Sequence, residues 1–226
     1  MDRFIKSFPA VRDGDLMLCE AEGVAYQADM RAGRVQYDAD YMAKVQAYEG
    51  TAIAKAVNAG RCALLSRHIK AGTWLLDYGA GSGAFVRDAA AAGFKAFGYD
   101  VIMLAKKRLF EAGHYADDPA GFDAVTLWDT IEHMEVPGDL LRQIPRGAKL
   151  FVSLPVFDDL RNIRASRHYR PGEHLYYWTA AGFIGWMELY GFRLLEQSSH
   201  EVDAGRESIG AFAFCRDVKQ QLMVAA

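Results

Sequence analysis

The sequence predicts a doubly wound α/β sheet of about seven strands, with an antiparallel final strand and an N-terminal helical cap. Three observations carry that expectation. From Gly72 onward, short apolar runs alternate with helix-prone segments, the pattern of repeated βα units whose parallel strands are covered on both faces. A glycine cluster from Gly79 to Gly83 occupies the first strand-to-helix junction. Near the far end, two strand candidates follow one another with no helix between them, which predicts an antiparallel hairpin at the sheet edge.

Taken in order, residues 1–38 have mixed polarity and no clear period, so they read as an N-terminal extension. From Asp38 to about Lys70, Tyr41, Val45, Tyr48, Ile53, Val57, Leu64 and Leu65 recur at helical spacing. Asp38 or Asp40 can cap, and Gly50 and Gly60 look like interruptions, so two or three helices are expected ahead of the sheet. Trp74-Leu75-Leu76 is a strand buried on both faces, Ala84 to Ala92 a helix, Lys95 to Tyr99 a strand and Ile102 to Ala112 a helix. Ala124 to Trp128 and Leu150 to Leu154 are further strands, and Ala180 to Tyr190 is a helix closed by Gly191. Arg193 to Ser198 and Gly210 to Arg216 form the expected closing hairpin. The organisation is then an extension and helical cap at 1–70, a core at 71–217 with a substrate lid around 156–175, and a C-terminal tail at 218–226.

Composition narrows the function classes. The chain has 226 residues, 51% hydrophobic and 24% charged, which suits one globular domain and excludes a disordered or collagen-like chain. With 26 Lys plus Arg against 29 Asp plus Glu, the net charge of -3 offers no global attraction to polyanions, so nucleic acid is not an expected partner. Cys19, Cys62 and Cys215 are widely spaced and form no CxxC pair, so they read as free thiols. The N-terminus lacks a signal-peptide core and no apolar run of about 18 residues occurs, so a cytoplasmic protein without a membrane span is expected. Nothing in the sequence sets the oligomeric state.

The strongest local signal is Asp77-Tyr78-Gly79-Ala80-Gly81-Ser82-Gly83. Glycines here permit unusual dihedrals and close approach of a ligand to the main chain, and the helix that follows offers free N–H groups. Asp100 lies 21 residues beyond Gly79 at the end of the next strand, where a carboxylate can accept two hydrogen bonds from ribose hydroxyls. An adenosine-containing ligand across the carboxyl edge of the sheet follows. Gly79-x-Gly81-x-x-Ala84 also fits the looser dinucleotide fingerprint, so an NAD-dependent oxidoreductase is an alternative. Asp77 tilts the choice, because a carboxylate at the loop mouth would repel a pyrophosphate and suit an ammonium and a sulfonium.

Leu75 to Gly83, Phe97-Gly98-Tyr99-Asp100 and Phe122 to His133 together resemble the class I S-adenosylmethionine-dependent methyltransferases, a Rossmann-like family. The similarity runs from about Asp38 to Arg216 and is nearest the small-molecule, ubiquinone-biosynthesis-like branch. The resemblance implies that Asp77, Gly79, Ala80, Gly81 and Gly83 surround the methionine and ribose, that Asp100 binds the ribose and that Val101 packs on the adenine. Trp128 and Asp129 would border the donor, and Asp117, with Asp118 as the alternative, would be the acid facing the adenine amino group. It implies S-adenosylmethionine as cofactor and a small-molecule acceptor methylated on oxygen or nitrogen; a module that binds the donor without catalysis is a further alternative.

Asp129-x-x-Glu132-His133 follows the fourth strand of this core, where the donor's methyl group should project. Three readings stay open there: Asp129 and Glu132 as helix-start acids with His133 packed on the loop, His133 as a general base, and a divalent cation site. In some members of the resembled family a Glu-x-x-Glu-His string binds a divalent cation; here the first residue is the shorter Asp129, and no residue is assigned as a metal ligand. His174, in the Glu173-His174 pair, is the second catalytic candidate. Arg161, Arg164, Arg167 and Arg170 of the lid could hold a phosphate or carboxylate, making an anionic acceptor one expectation and a solvated loop the other.

Overall fold

The computed structural model describes residues 1–217; the tail expected at 218–226 lies outside the described residues. Four parallel strands, β4 (Trp74–Tyr78), β5 (Lys95–Tyr99), β6 (Ala124–Trp128) and β7 (Lys149–Pro155), form one side of a six-stranded sheet. Its order is β5-β4-β6-β7-β10-β9, where β9 is Phe192–Ser198 and β10 (Ile209–Arg216) runs antiparallel to both neighbours.

Alternation along the strands separates two cores. Leu76, Val125, Leu150, Val152, Phe212 and Phe214 face one layer, where α5 (Pro137–Gln143) and α6 (Ala180–Leu189) contribute Leu140, Leu141, Phe183 and Trp186. Leu75, Ala124, Phe151 and Ala213 point the other way, against Leu64 and Leu65 of α2 (Ala52–His68) and Phe85, Val86 and Ala89 of α3 (Ala84–Ala91). Both faces being apolar is why these strands lack a polar period in sequence. Asp38 caps α1 (Ala39–Glu49) by accepting from Tyr41 N, and Thr51 caps α2 by accepting from Ala54 N.

Four features depart from the sequence reading. Gly60 lies inside α2 rather than breaking it. The main sheet has six strands because the segment after α4 (Met103–Glu111) supplies only an isolated bridge, Gly98 to Tyr115, before Asp118 and Pro119 start a helical turn. A four-residue helix, α7 (His200–Asp203), stands between the two closing strands, where no helix was expected. The N-terminal extension is structured: β1 (Val11–Asp13), β2 (Leu16–Cys19), β3 (Val24–Gln27) and β8 (Tyr176–Trp178) make a second, antiparallel sheet. Its strands are three or four residues long, too short to show a period, and β3 is buried throughout.

The 156–175 segment, expected as a substrate lid, is fastened to that second sheet. Arg161 pairs with Glu20 at 2.6 Å, and Arg164 pairs with Asp13 at 2.6 Å and Asp15 at 2.9 Å. Arg170 pairs with Glu173 at 3.3 Å. Three of the four lid arginines expected to be available for a ligand anion are therefore engaged by acids, two of them by acids far away in sequence. Tyr176, Tyr177 and Trp178 are core residues of β8. No helix among the described residues is long and apolar enough to cross a membrane.

Candidate active site

The glycine loop takes its shape from left-handed backbone. Gly79, Gly81 and Gly83 have φ of 94°, 55° and 78°, values that favour glycine. A Cβ on Gly79 would collide with the Thr130 side chain, whereas one on Gly81 would meet only Val45 at 3.5 Å. Gly79 N and Ala80 N both donate to the Tyr99 carbonyl, at 2.8 and 2.9 Å, which stitches the loop to the end of β5. Asp100 completes the seam, accepting from Gly81 N on Oδ2 and from Ile102 N on Oδ1, each at 2.8 Å. Burial raises the Asp100 pKa while these amides oppose the rise.

Between this loop and α1 lies a cavity of about 500 Å³. Gly79, Gly81, Asp100, Val101, Trp128, Asp129 and His133, all singled out from sequence, line it; Tyr37 and Tyr41 close it from the N-terminal side. The remaining candidates are not among its lining residues. Gly83 faces a second cavity of about 450 Å³ bounded by Glu49, Arg87 and Arg108, and Ala80 is buried in the helical layer behind the loop. Asp117 is exposed and accepts from Tyr115 Oη at 3.3 Å. Asp77, expected at the loop mouth, is buried and accepts from Thr126 Oγ1 at 2.7 Å. Burial raises its pKa to about 7, so the charge contrast drawn from it in sequence is much weakened.

Asp129 occupies the left-handed region at φ 52°, an unusual place for a residue with a Cβ. Two arginines hold it there: Arg206 at 2.9 Å through both guanidinium ends, and Arg61 at 3.1 Å. Glu201 of α7 bridges the same arginines, at 2.7 Å to Arg61 and 2.6 Å to Arg206. Although burial raises it, the Arg61 charge, then neighbouring His200 and then the Arg206 charge keep the Glu201 carboxyl far below its ordinary range. Arg61 also lies over the Trp128 ring, 4.7 Å from its centroid. Sequence reasoning missed Arg61, Glu201 and Arg206. Arg61 left a trace, since it shares the buried face of α2 with Val57, Leu64 and Leu65; Glu201 and Arg206 left none.

His133 stands at the other end of the cavity. Its Nδ1 lies 3.0 Å from the Glu173 carbonyl, which can only accept, so Nδ1 carries the proton and Nε2 the lone pair, 3.8 Å from Glu132 Oε1. Tyr37 Oη approaches Nδ1 at 3.4 Å. Burial lowers the His133 pKa, so the ring is neutral near pH 7. His174 packs edge-to-face on it with centroids 4.8 Å apart, and its own pKa is driven down to about 2, first by burial and then by His133.

Glu132 is buried beside the pair, and neither carboxyl oxygen has a hydrogen-bond partner among the described residues. Burial raises its pKa well above the ordinary value. Ligand atoms of Glu132, His133 and His174 all lie within 4.8 Å of one another, and a carboxylate with two imidazoles suits a divalent transition metal. The sequence pattern pointed to Asp129 in that set; the structure commits Asp129 to Arg61 and Arg206 instead.

A family model described as a methyltransferase domain matches residues 57–197. No curated protein matches the chain. Among solved structures, the methyltransferase in a complex with the Haloferax volcanii Trm112 activator is similar at TM-score 0.62 and 15% identity, covering 81% of this chain and 99% of that one. Magnesium protoporphyrin IX methyltransferase from Synechocystis, with bound S-adenosylhomocysteine, aligns at TM-score 0.59 and 16% identity over 80% of this chain and 96% of its own. The 1,6-didemethyltoxoflavin-N1-methyltransferase of Burkholderia thailandensis, also with S-adenosylhomocysteine, aligns at TM-score 0.56 and 13% identity, over 93% and 100%. At these identities the likeness is one of fold.

Proposed function

The chain belongs to the methyltransferase-domain family and is an S-adenosylmethionine-dependent enzyme, and from that premise we propose that it methylates a small molecule on oxygen or nitrogen with His133 at the reacting end of the cavity. The observation that carries this reading is that one cavity joins the Gly79–Asp100 seam to the His133 imidazole. Two of the solved structures similar in fold are named for small acceptors, a porphyrin and a toxoflavin precursor. Kinship with the ubiquinone-biosynthesis branch rests on the sequence strings alone.

Two features support donor binding in this cavity: φ-positive glycines line one wall, and the Asp100 carboxylate at the loop's edge accepts from the ribose hydroxyls in this reading. When bound, S-adenosylmethionine supplies an electrophilic methyl group on a sulfonium. The chain's residues do the rest. Tyr37 and Tyr41 exclude water from above, the Gly79–Gly81 main chain fixes the donor end, and His133 Nε2 takes the acceptor's proton. Glu173's carbonyl fixes the tautomer that makes this possible. The unpartnered Glu132 carboxyl favours a second reading, in which Glu132, His133 and His174 hold a divalent cation that orients the acceptor.

The test is calorimetric binding of S-adenosylhomocysteine followed by an acceptor screen with labelled donor. Binding with transfer to metabolites supports the proposal. Binding without any transfer would favour a non-catalytic donor-binding module.

A further inference from the structure

The lid arginines, the natural place to look for an anion site, are largely engaged by acids. Arg34 is different. It lines the cavity, and among the described lining residues it supplies the sole guanidinium. Its Nη1 is buried, without a hydrogen-bond partner among the described residues. A buried, unmatched cationic donor is costly, and the natural remedy is an anionic oxygen.

Local structure aims the residue. Val35 N donates to the Gly172 carbonyl at 3.2 Å, and Gly172 sits so tightly against Gly33 that a Cβ there would collide with the Gly33 carbonyl. This clasp fixes residues 33–35 against the lid. Three residues on, Tyr37 touches the His133 ring from the same segment, and Arg34 and Tyr37 both line the cavity. The other charges of the cavity are accounted for: Asp100 is held by two amides and Asp129 by two arginines, while Glu135 sits exposed at the rim.

We propose that Arg34 is the anion-holding residue of this cavity and that the methyl acceptor carries a carboxylate or phosphate group which it engages. The inference rests on the methyltransferase reading and deepens it to a class of acceptor. A carboxylate could also come from the donor's own methionine end, so the test separates the two sources.

Benzoate and benzamide share size and ring and differ in charge, and each is titrated calorimetrically into enzyme saturated with S-adenosylhomocysteine. The wild type should prefer benzoate by about tenfold or more, as expected for a charge-assisted contact. Arg34→Met should abolish that preference, Arg34→Lys should retain part of it, and Arg164→Met, whose partners lie outside the cavity, should leave it intact. No preference in the wild type, or an unchanged preference in Arg34→Met, overturns the proposal. In the second arm, S-adenosylhomocysteine is compared with 5′-methylthioadenosine, which lacks the amino-acid end. If Arg34→Met weakens only the former, the donor's carboxylate is the anion held and the acceptor assignment falls. Failure of the wild type to bind S-adenosylhomocysteine at all would instead sink the donor reading beneath it.

Discussion

Arg206 grips Asp129 with both guanidinium ends, Nη1 to Oδ2 and Nη2 to Oδ1, each at 2.9 Å. The contact joins the loop after α7 to the residue following β6, and it holds Asp129 in the left-handed region at the cavity wall. Glu201, fully buried, shares Arg206, so the guanidinium neutralises two acids at once.

Arg206→Met should therefore lower stability by about 3 kcal/mol, because it leaves two acids to share the single charge of Arg61. Adding Glu201→Gln leaves Asp129 as the one carboxylate paired with Arg61 and should restore part of the loss, while donor affinity should be reduced in both variants because Asp129 loses its two-point contact with Arg206. Chemical denaturation with parallel calorimetry reads both. A single variant as stable as the wild type would show that Arg61 alone holds the cluster.

Asp100→Ala should weaken S-adenosylhomocysteine binding by about 1.5–3 kcal/mol, the range for a hydrogen-bonded charge. The structure adds a second cause to the one the sequence suggested: Asp100 also orders the loop by accepting from Gly81 N and Ile102 N. Fluorescence titration of the folded variant decides it. Unchanged affinity would remove Asp100 from the binding site.

Within the loop the two alanine substitutions should differ. Gly79→Ala combines φ of 94° with a collision against Thr130, whereas Gly81→Ala has φ of 55° and only an ordinary contact with Val45. Gly79→Ala is expected to lower the melting temperature and abolish donor binding, and Gly81→Ala to bind weakly with little change in folding. Equal melting temperatures would contradict this ordering.

These sites explain why sequence reading reached some parts of the molecule and not others. The loop and Asp100 were legible because glycine spacing and a strand-end acid are local constraints, carried in two short strings of chain. The central strands were legible because burial on both faces leaves unbroken apolar runs such as Leu75-Leu76 and Leu150-Phe151-Val152. The Asp129 network was not, since Arg61, Asp129, Glu201 and Arg206 come from four separated segments. The surroundings of Asp77 were not legible for a related reason: its neighbour Thr126 sits on the adjacent strand, and burial there changes what the carboxyl does.

That burial yields a pH prediction. The folded Asp77 carboxyl keeps its proton up to about pH 7, because desolvation raises it from 3.8. Between those values the folded state binds more protons than the unfolded chain, so Asp77's contribution is fully present below 3.8 and is lost as pH rises through about 7. Asp77→Asn can still accept from Thr126 and does not ionise. Its stability relative to wild type should therefore climb by on the order of 2–4 kcal/mol between acid and mildly alkaline pH. Urea melts across that range provide the check, and a pH-independent difference would place Asp77 in a wetter site than the structure gives it.

His133→Ala separates the two readings of the catalytic end. Nδ1 is committed to the Glu173 carbonyl, so Nε2 is the atom that can accept a proton. Turnover with an acceptor from the labelled-donor screen should fall by about 100-fold, while S-adenosylhomocysteine affinity stays near wild type. EDTA should leave the wild-type rate unchanged. The cation reading demands a different pattern, because Glu132 and His174 would be ligands alongside His133. EDTA would then inhibit, added magnesium or a transition metal would restore the rate, and Glu132→Gln and His174→Ala would each reproduce the His133 defect. Under the base reading Glu132→Gln is mild, since burial already raises the Glu132 pKa and favours a neutral carboxyl. A chelator-sensitive wild type would therefore move His133 from proton acceptor to metal ligand, and full activity in His133→Ala would remove it from both roles.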